Sequence, residues 1–123
     1  MNVTQEVQIV QFKPEGSIDL QGGITLKSQM MEIVPKPNQL WIIDFLSVSF
    51  MDSSGLISLI QGLRFAQQNG CRLIICNLQA PVRLILELTQ LDSVFEIYHT
   101  YEDAMMTIEH QNINHQAMIV ANV

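Results

Sequence analysis

Two short and almost uninterrupted apolar runs constrain the fold of this chain more than any other feature. They occupy residues 39–46, which include the stretch LWIIDFL, and residues 71–76, which read CRLIIC. Runs of this length suit strands that are buried on both faces of a parallel sheet. Between them, apolar residues at helical spacing predict a helix that begins near Asp52 or Ser53 and ends about Asn69. A buried strand, a helix and a second buried strand in this order predict an α/β unit.

The rest of the chain continues this alternation of strands and helices. Residues 3–11 alternate between apolar and polar side chains, which predicts an antiparallel or edge strand. Helical spacing predicts further helices that begin near Gly22, Ala80 and Thr100, and residues 94–98 are typical of a short strand. We therefore predict a mixed sheet, mostly parallel inside, with helices packed on it.

The regular pattern ends near His110. No linker-like stretch and no internal repeat is evident before that point, so we predict one domain over residues 1–110. Residues 111–123 are predicted to form a C-terminal extension of unknown structure that ends in the apolar letters MIVANV. Three arrangements are open for this extension: it packs as an added element, it pairs with another chain, or it is mobile.

Composition excludes several classes of function. The chain is 48% hydrophobic and only 15% charged, which argues against intrinsic disorder. Twelve acidic residues stand against six basic ones, and no cluster of Lys or Arg occurs. We therefore expect no nucleic-acid partner and no binding to an anionic membrane. Few charges leave much of the surface neutral, which favours a protein that binds a protein partner.

The termini and the cysteines predict a cytoplasmic protein. Residues 1–12 carry neither the basic flank nor the long apolar run of a signal peptide, and no apolar stretch is long enough for a transmembrane helix. Cys71 and Cys76 lie five residues apart in a predicted strand, a distance of about 17 Å. A disulfide requires Cα atoms within about 7 Å, so we expect two buried thiols in a reducing compartment.

Known catalytic and metal-binding patterns are absent from the sequence. The chain has neither a Gly-rich phosphate loop nor a Gly-x-Ser-x-Gly nucleophile turn. The three histidines lie late in the chain and lack the spacing of paired metal ligands on a helix: His99, His110 and His115. We therefore expect no cofactor, no metal and no catalysis.

Two weaker sets of residues leave alternatives open. Three carboxylates, of Asp19, Asp44 and Asp52, could form a phosphoryl-transfer site, although capping and strand-end roles explain them more simply. Five methionines could form a partner-binding surface instead of filling the core: Met30, Met31, Met51, Met105 and Met106.

The most distinctive motif lies where the first buried strand gives way to the helix. It reads Phe50-Met51-Asp52-Ser53-Ser54-Gly55-Leu56. Asp and Ser are good helix N-caps, and Gly permits a tight turn, so one interpretation is a purely local start of a helix. The other is a modification site, because a phosphoryl group at a helix N-terminus is stabilised by free backbone N–H groups.

This motif, together with its surroundings, resembles the STAS domain family, and specifically the bacterial anti-sigma factor antagonists. The similarity extends over about residues 5–110, and Asp-Ser-Ser-Gly-Leu between strand and helix is its most specific element. The stretch Gly16-Ser17-Ile18-Asp19 is similar to the Gly-Glu-Leu-Asp turn of the family. The resemblance implies a STAS fold: a four- to five-stranded mixed β-sheet with about four α-helices packed on one side of it.

The resemblance also implies a function by partner switching. The unphosphorylated antagonist binds a serine-kinase anti-sigma factor and so releases a sigma factor, phosphorylation ends the interaction, and a PP2C-type phosphatase restores it. The matching phosphorylation site is Ser53, with Ser54 as the second choice. The motif and the resemblance together predict partner-binding residues around this site: Asp19, Phe50, Met51, Asp52, Ser54 and Gly55. Gly55 is expected to keep the turn open to the partner. We also expect the protein to be a monomer or a weak homodimer.

Two other functions remain open at this point. The chain could be a non-enzymatic STAS scaffold or regulatory subunit in a larger signalling assembly. It could also be a small phosphatase or hydrolase that uses Asp52 or Ser53, although this needs a positioned base or metal that the sequence does not supply.

Overall fold

The computed structural model describes the backbone of residues 5–110 and 113–122 and the side chains of residues 8–108. The described part of the chain forms seven strands and four α-helices. The strands are β1 (Gln5–Lys13), β2 (Gly16–Ile18), β3 (Leu40–Asp44), β4 (Val48–Met51), β5 (Arg72–Cys76), β6 (Glu96–Tyr98) and β7 (Ile113–Asn122). The helices are α1 (Leu20–Glu32), α2 (Ser53–Gln68), α3 (Ala80–Leu88) and α4 (Tyr101–His110).

The two apolar runs form the centre of the main sheet, as predicted. The sheet has five strands in the order β6-β5-β3-β1-β7, and β3 and β5 are parallel neighbours that pair Ile42 with Ile74. Every residue of β3 is buried, and so are the last four residues of β5. The α/β fold expected from the sequence is confirmed, and each of its described strand pairs is parallel although a mixed sheet was expected.

The position of β1 differs from the prediction. This strand is neither antiparallel nor at an edge, because it lies between β3 and β7 and pairs with both in parallel. The four consecutive residues 9–12 are all buried, since helices cover both faces of the sheet at this point. The alternation of apolar and polar letters was misleading because Gln11 is buried along with its apolar neighbours.

The C-terminal extension supplies the fifth strand. Strand β7 pairs with β1 from Gln5 opposite Ile113 to Lys13 opposite Asn122, with one irregularity after Val7. Of the three arrangements left open by the sequence, the structure shows the first, in which the extension packs as an added element of the fold. The boundary at residue 110 between the domain and the C-terminal extension stays a prediction.

Helices lie on both faces of the sheet, so the expected placement of four helices on one side is wrong. Helices α1, α2 and α3 pack on one face around Phe12, Trp41 and Ile43. Helix α4 packs on the other face, where Ala104 and Ile108 are fully buried. The chain must return from β6 at one edge of the sheet to β7 at the other, and α4 makes that crossing.

A small second sheet positions the distinctive motif. Strands β2 and β4 pair in parallel, with Ser17 opposite Phe50 and Ile18 opposite Met51. The sequence pattern did not separate these strands from the turns around them, because each has only three or four residues. Gly16, in the predicted turn, has a φ of +78°, which favours glycine, and β2 begins there.

The cysteines conform to the expectation of buried thiols. Cys71 and Cys76 are both free and buried. Burial, together with the nearby carboxylates of Asp44 and Glu102, raises the pKa of Cys76 to about 12. Within the described residues, none of the helices is both long enough and apolar enough to cross a membrane.

Candidate binding site around Ser53

The site is built from two strand–helix units that lie side by side. Strand β2 leads through Asp19 into α1, and β4 leads through Asp52 into α2. Because Ile18 pairs with Met51, the two strands end at the same level and the two helices begin next to each other. The N-terminal ends of α1 and α2 therefore share one surface of the protein.

The two helices begin with the same capping interaction. The carboxylate of Asp19 accepts a hydrogen bond from the N–H of Gly22 at 2.9 Å, and that of Asp52 accepts one from Gly55 at 3.0 Å. Each aspartate has extended backbone angles, as an N-cap residue requires. The predicted capping role of Asp52 is confirmed, and Asp19 has the same role in the neighbouring helix.

The glycine in each cap is required by close backbone contacts. A Cβ atom on Gly22 would lie 2.3 Å from the carbonyl oxygen of Ser17, and one on Gly55 would lie 1.8 Å from that of Ile18. Gly55 is buried, so its role is to let α2 approach β2, and not to keep the turn open to a partner as expected.

Small residues also bring the two helices close together. A Cβ atom on Gly23 would lie 2.7 Å from the Oγ of Ser58 and 3.2 Å from the Cα of Gly55. Two helices that meet at glycine and serine approach more closely than helices separated by large side chains. Residues at the start of α1 are therefore near neighbours of residues at the start of α2.

The two serines of the motif differ in accessibility. Ser53 is the first residue of α2 and is exposed, whereas Ser54, the second residue, is half-buried. The Ser53 hydroxyl lies directly after the Asp52 cap, at the end of the helix where backbone N–H groups are free and the helix dipole is positive. An anionic group attached there would be stabilised by its own helix.

The expected partner-binding residues divide into exposed and buried ones. Asp19 and Phe50 are exposed, and Asp52 is half-buried. Met51 is only 1% exposed and belongs to the core, so the expectation that it contacts a partner is wrong. Its side chain points inward because β4 packs one face against the helical layer, while Phe50 occupies the other face.

The set of three carboxylates does not come together. Asp44 is buried at the end of β3 and accepts hydrogen bonds from the N–H of Leu46 at 2.9 Å and the Nδ2 of Asn77 at 3.0 Å. Asp19 and Asp52 instead cap their own helices. Among the described side chains, no group of three or more His, Cys, Asp or Glu residues is placed to hold a metal ion.

The histidines and methionines form no common site in the described part of the chain. His99 is exposed, and His110 and His115 lie outside the described side chains. Met30 and Met51 are in the core, Met105 is half-buried, and Met31 and Met106 are exposed on different helices. The methionine surface considered from the sequence therefore does not form.

The structure reveals three surface residues that sequence reasoning missed. Leu20, Ile24 and Ile57 are large apolar side chains that are about half exposed or more. They lie in the first two turns of α1 and α2. The sequence contains a signal for them, because residues 17–26 and 50–59 share one pattern. In both stretches a Gly follows the Asp by three positions and an Ile follows it by five.

Comparison with known proteins agrees with this architecture. A family model described as the STAS domain matches residues 1–104 of the chain. The anti-sigma F factor antagonist of Paenibacillus polymyxa is 24% identical over 95 residues, which are 76% of this chain and 81% of that protein.

Two solved structures share the fold. The STAS domain of a SulP transporter from Vibrio cholerae has a TM-score of 0.66 and 22% identity, over 84% of this chain and 85% of that chain. An anti-sigma-factor antagonist (STAS) domain protein from Planctomyces limnophilus has a TM-score of 0.60 and 22% identity, over 72% of this chain and 74% of that chain. Since the family model matches most of the sequence and the fold agrees, this chain belongs to the STAS domain family.

Proposed function

We propose that this chain is a bacterial, cytoplasmic anti-sigma factor antagonist that works by partner switching and has no catalytic activity of its own. Its unphosphorylated form binds a serine-kinase anti-sigma factor and thereby releases a sigma factor. Phosphorylation of Ser53 ends the interaction, and a PP2C-type phosphatase restores it. The observation that carries this proposal is the exposed hydroxyl of Ser53, placed directly after the Asp52 cap at the start of α2.

The position of Ser53 allows a large change of charge without unfolding of the domain. A phosphoryl group adds a charge of about −2 near neutral pH. At the first position of α2 this charge lies beside free backbone N–H groups and the positive end of the helix dipole. The phosphorylated chain is therefore expected to keep its fold while its surface changes.

The relatives support the same proposal. The Paenibacillus polymyxa protein and the Planctomyces limnophilus protein both carry the name of anti-sigma factor antagonist. By that analogy, the partner of this chain is an anti-sigma factor. Ser54 is the second choice for the modified residue, since its side chain is less accessible than that of Ser53.

The direct test is phosphorylation by purified serine-kinase anti-sigma factors encoded in the same genome, with ATP, followed by mass spectrometry of peptides from the chain. We expect phosphate on Ser53, no phosphate on the Ser53→Ala variant and normal phosphorylation of the Ser54→Ala variant. Phosphate found only at residues other than Ser53 and Ser54, or no phosphate at all, contradicts the proposal.

A second candidate is a scaffold or regulatory subunit, and the likeness to the STAS domain of the Vibrio cholerae SulP transporter favours it. STAS folds thus also occur as parts of larger proteins. Light scattering distinguishes the two candidates, since a partner switch is expected to be a monomer or a weak homodimer and a scaffold to form a large stable assembly.

A further inference from the structure

We propose that two copies of this chain associate through strand β7, whose free edge pairs in antiparallel direction with the same strand of the second copy. The contact is made by residues 117–122, which we call the edge segment. It joins the two five-stranded sheets into one continuous sheet around a two-fold axis. Strand β7 lies outside residues 1–104, the part of the chain that the STAS family model matches. The association is therefore an addition to the family fold, and it does not depend on phosphorylation of Ser53.

One side of β7 is open within the described part of the chain. The main sheet has the order β6-β5-β3-β1-β7, so β7 pairs with β1 on one side and with no described strand on the other. Backbone N–H and C=O groups of successive residues in a strand point to alternate sides. Every second residue of β7 therefore presents both groups at the open edge. Such an edge is a template for another strand.

The edge segment lacks the features that protect edge strands. Proteins block an edge with a short strand, a proline, charged side chains or a bulge. Strand β7 has ten residues and one irregularity, at Gln116, which has no partner on β1. Beyond it, residues 117–122 pair regularly with β1 as far as Asn122 opposite Lys13. They read AMIVAN, without a charge, a proline or a glycine, and segments of about six residues with this composition pair readily.

The opposite edge of the same sheet is protected. Strand β6 has only three residues, and the first of them, Glu96, is charged and forms an ion pair with Arg72. A strand this short offers few backbone groups to a second chain, and its charge opposes pairing with a copy of itself. The contrast between the two edges indicates β7 as the site of association. It also limits the assembly to two copies, because only β6 edges remain free once the two β7 strands have paired.

The absence of charge in the edge segment indicates a second copy as its occupant. A two-fold axis places identical strands antiparallel, so a residue near the middle of the segment, Ile119 or Val120, lies opposite its own copy. A charge at this place would meet a like charge, which is unfavourable. The chain has a net charge of −6, yet the edge segment is neutral, so two acidic copies can approach each other there. A basic partner would find no acidic side chain in this segment.

The length of the contact predicts how strong the association is. At about 3.4 Å per residue, the edge segment is about 20 Å long. A single pair of strands of this length makes a smaller contact than the interface of a permanent dimer. We therefore expect a weak dimer whose population depends on the concentration of the chain.

The first test measures the full chain by sedimentation equilibrium from about 1 µM to about 1 mM, the range of weak complexes. We expect the average mass to rise with concentration towards twice the mass of the monomer, and no further. Hydrogen exchange of the same samples locates the contact. Amides within residues 117–122 should exchange about tenfold or more slowly at the highest concentration, whereas those of β6 should be unaffected.

The second test places opposite charges on the edge segment. Val120→Lys and Val120→Glu should each associate about tenfold or more weakly than the parent chain, because two like charges then lie within about 8 Å of each other. An equimolar mixture of the two variants should recover the dimer, since the charges then attract. The control is Leu88→Lys, an apolar residue on α3 that is 74% exposed, and it should associate like the parent. Circular dichroism shows whether each variant is folded.

Several outcomes would overturn the proposal. A monomer at every concentration would do so, and so would a dimer that is unchanged by both Val120 variants or lost in Leu88→Lys. Folded Val120 variants that fail to associate when mixed would also exclude pairing of the two edge segments. If these variants do not fold, hydrogen exchange of the parent chain decides, and protection confined to another segment contradicts the proposal. None of these measurements uses a kinase, so failure here leaves the proposed function intact.

Discussion

Asp19 and Asp52 cap two neighbouring helices in the same way, each accepting a hydrogen bond from the N–H of a glycine three residues later, at 2.9 and 3.0 Å. The strands that precede them are paired, with Ile18 opposite Met51. The two caps therefore hold the starts of α1 and α2 at the same level. Ser53 owes its position to this arrangement, because it is the residue directly after the second cap.

Loss of the Asp52 cap should destabilise the fold moderately. We expect Asp52→Ala to lower the free energy of unfolding by about 1 kcal/mol, because the N–H of Gly55 loses its partner, and Asp52→Asn to cost much less. Urea unfolding monitored by Trp41 fluorescence measures both changes, since Trp41 is fully buried between Phe12 and Phe65. Equal destabilisation by the two variants would contradict the capping role.

Gly55 should tolerate no side chain. A Cβ atom there would lie 1.8 Å from the backbone carbonyl oxygen of Ile18, so Gly55→Ala forces α2 and β2 apart. We expect a loss of about 3 kcal/mol or more, at the upper end of overpacking effects.

The control for this prediction is Gly62→Ala, whose Cβ would meet only the flexible end of Met30 at 2.6 Å. We expect a smaller loss, because the Met30 side chain can move. Equal urea midpoints for the two alanine variants would show that contact with the Ile18 backbone is unimportant.

A charge at Ser53 should preserve the fold but not the interaction. We expect Ser53→Asp to leave the thermal transition unchanged or slightly higher, since a carboxylate in the first turn of a helix is favourable by about 0.3–1 kcal/mol. Binding of the kinase should be lost in the same variant. Calorimetry of unfolding and of binding measures the two properties, and a large drop in the transition temperature would contradict a switch that acts only at the surface.

The ion pair between Arg72 and Glu96 should make stability depend on pH in acid. Burial opposes ionisation of Glu96, but hydrogen bonds from Arg72 and Tyr98 outweigh it and lower the pKa of Glu96. Because the folded pKa is below the unfolded one, the stabilisation is present above the unfolded pKa of about 4.3. It is lost as the pH falls through the folded pKa.

Glu96→Gln tests this relationship. Both side chains of the pair are about one-third exposed, so we expect the variant to lose no more than about 1 kcal/mol at pH 7. The difference from the parent chain should shrink as the pH falls below the unfolded pKa of about 4.3, and it should vanish once the pH is below the folded pKa of Glu96. Glu87→Gln, at an exposed position on α3, is the control in urea unfolding over this range. A difference that persists at low pH would rule out the ion pair as its source.

The buried thiols should be unreactive in the folded protein. Burial and the nearby carboxylates raise the pKa of Cys76 to about 12, and burial raises the pKa of Cys71. Since the thiolate is the reactive form, Cys76 should be ionised in only about one molecule in ten thousand at pH 8. A disulfide reagent should therefore react slowly at both sites until urea unfolds the chain, and rapid reaction of the folded chain would contradict this burial.

Much of the fold could be predicted because its central elements have strong local patterns. The apolar runs predicted β3 and β5, and the change of spacing at Asp52 predicted the start of α2. The capping role of Asp52 and the burial of both cysteines followed from residue type and spacing. The predicted assignment of phosphorylation to Ser53 rests on the same motif and still awaits its test.

What the sequence by itself determined is therefore the order of strands and helices and the chemistry of each helix start, since both depend on residues close together in the chain. Only the tertiary structure decided that β1 lies inside the sheet, that α4 covers the opposite face and that Met51 is buried. It also placed the N-terminal ends of α1 and α2 next to each other, with Gly23 close to Ser58. These relationships depend on strand pairing and helix packing between residues about thirty positions or more apart, which no local pattern of letters records.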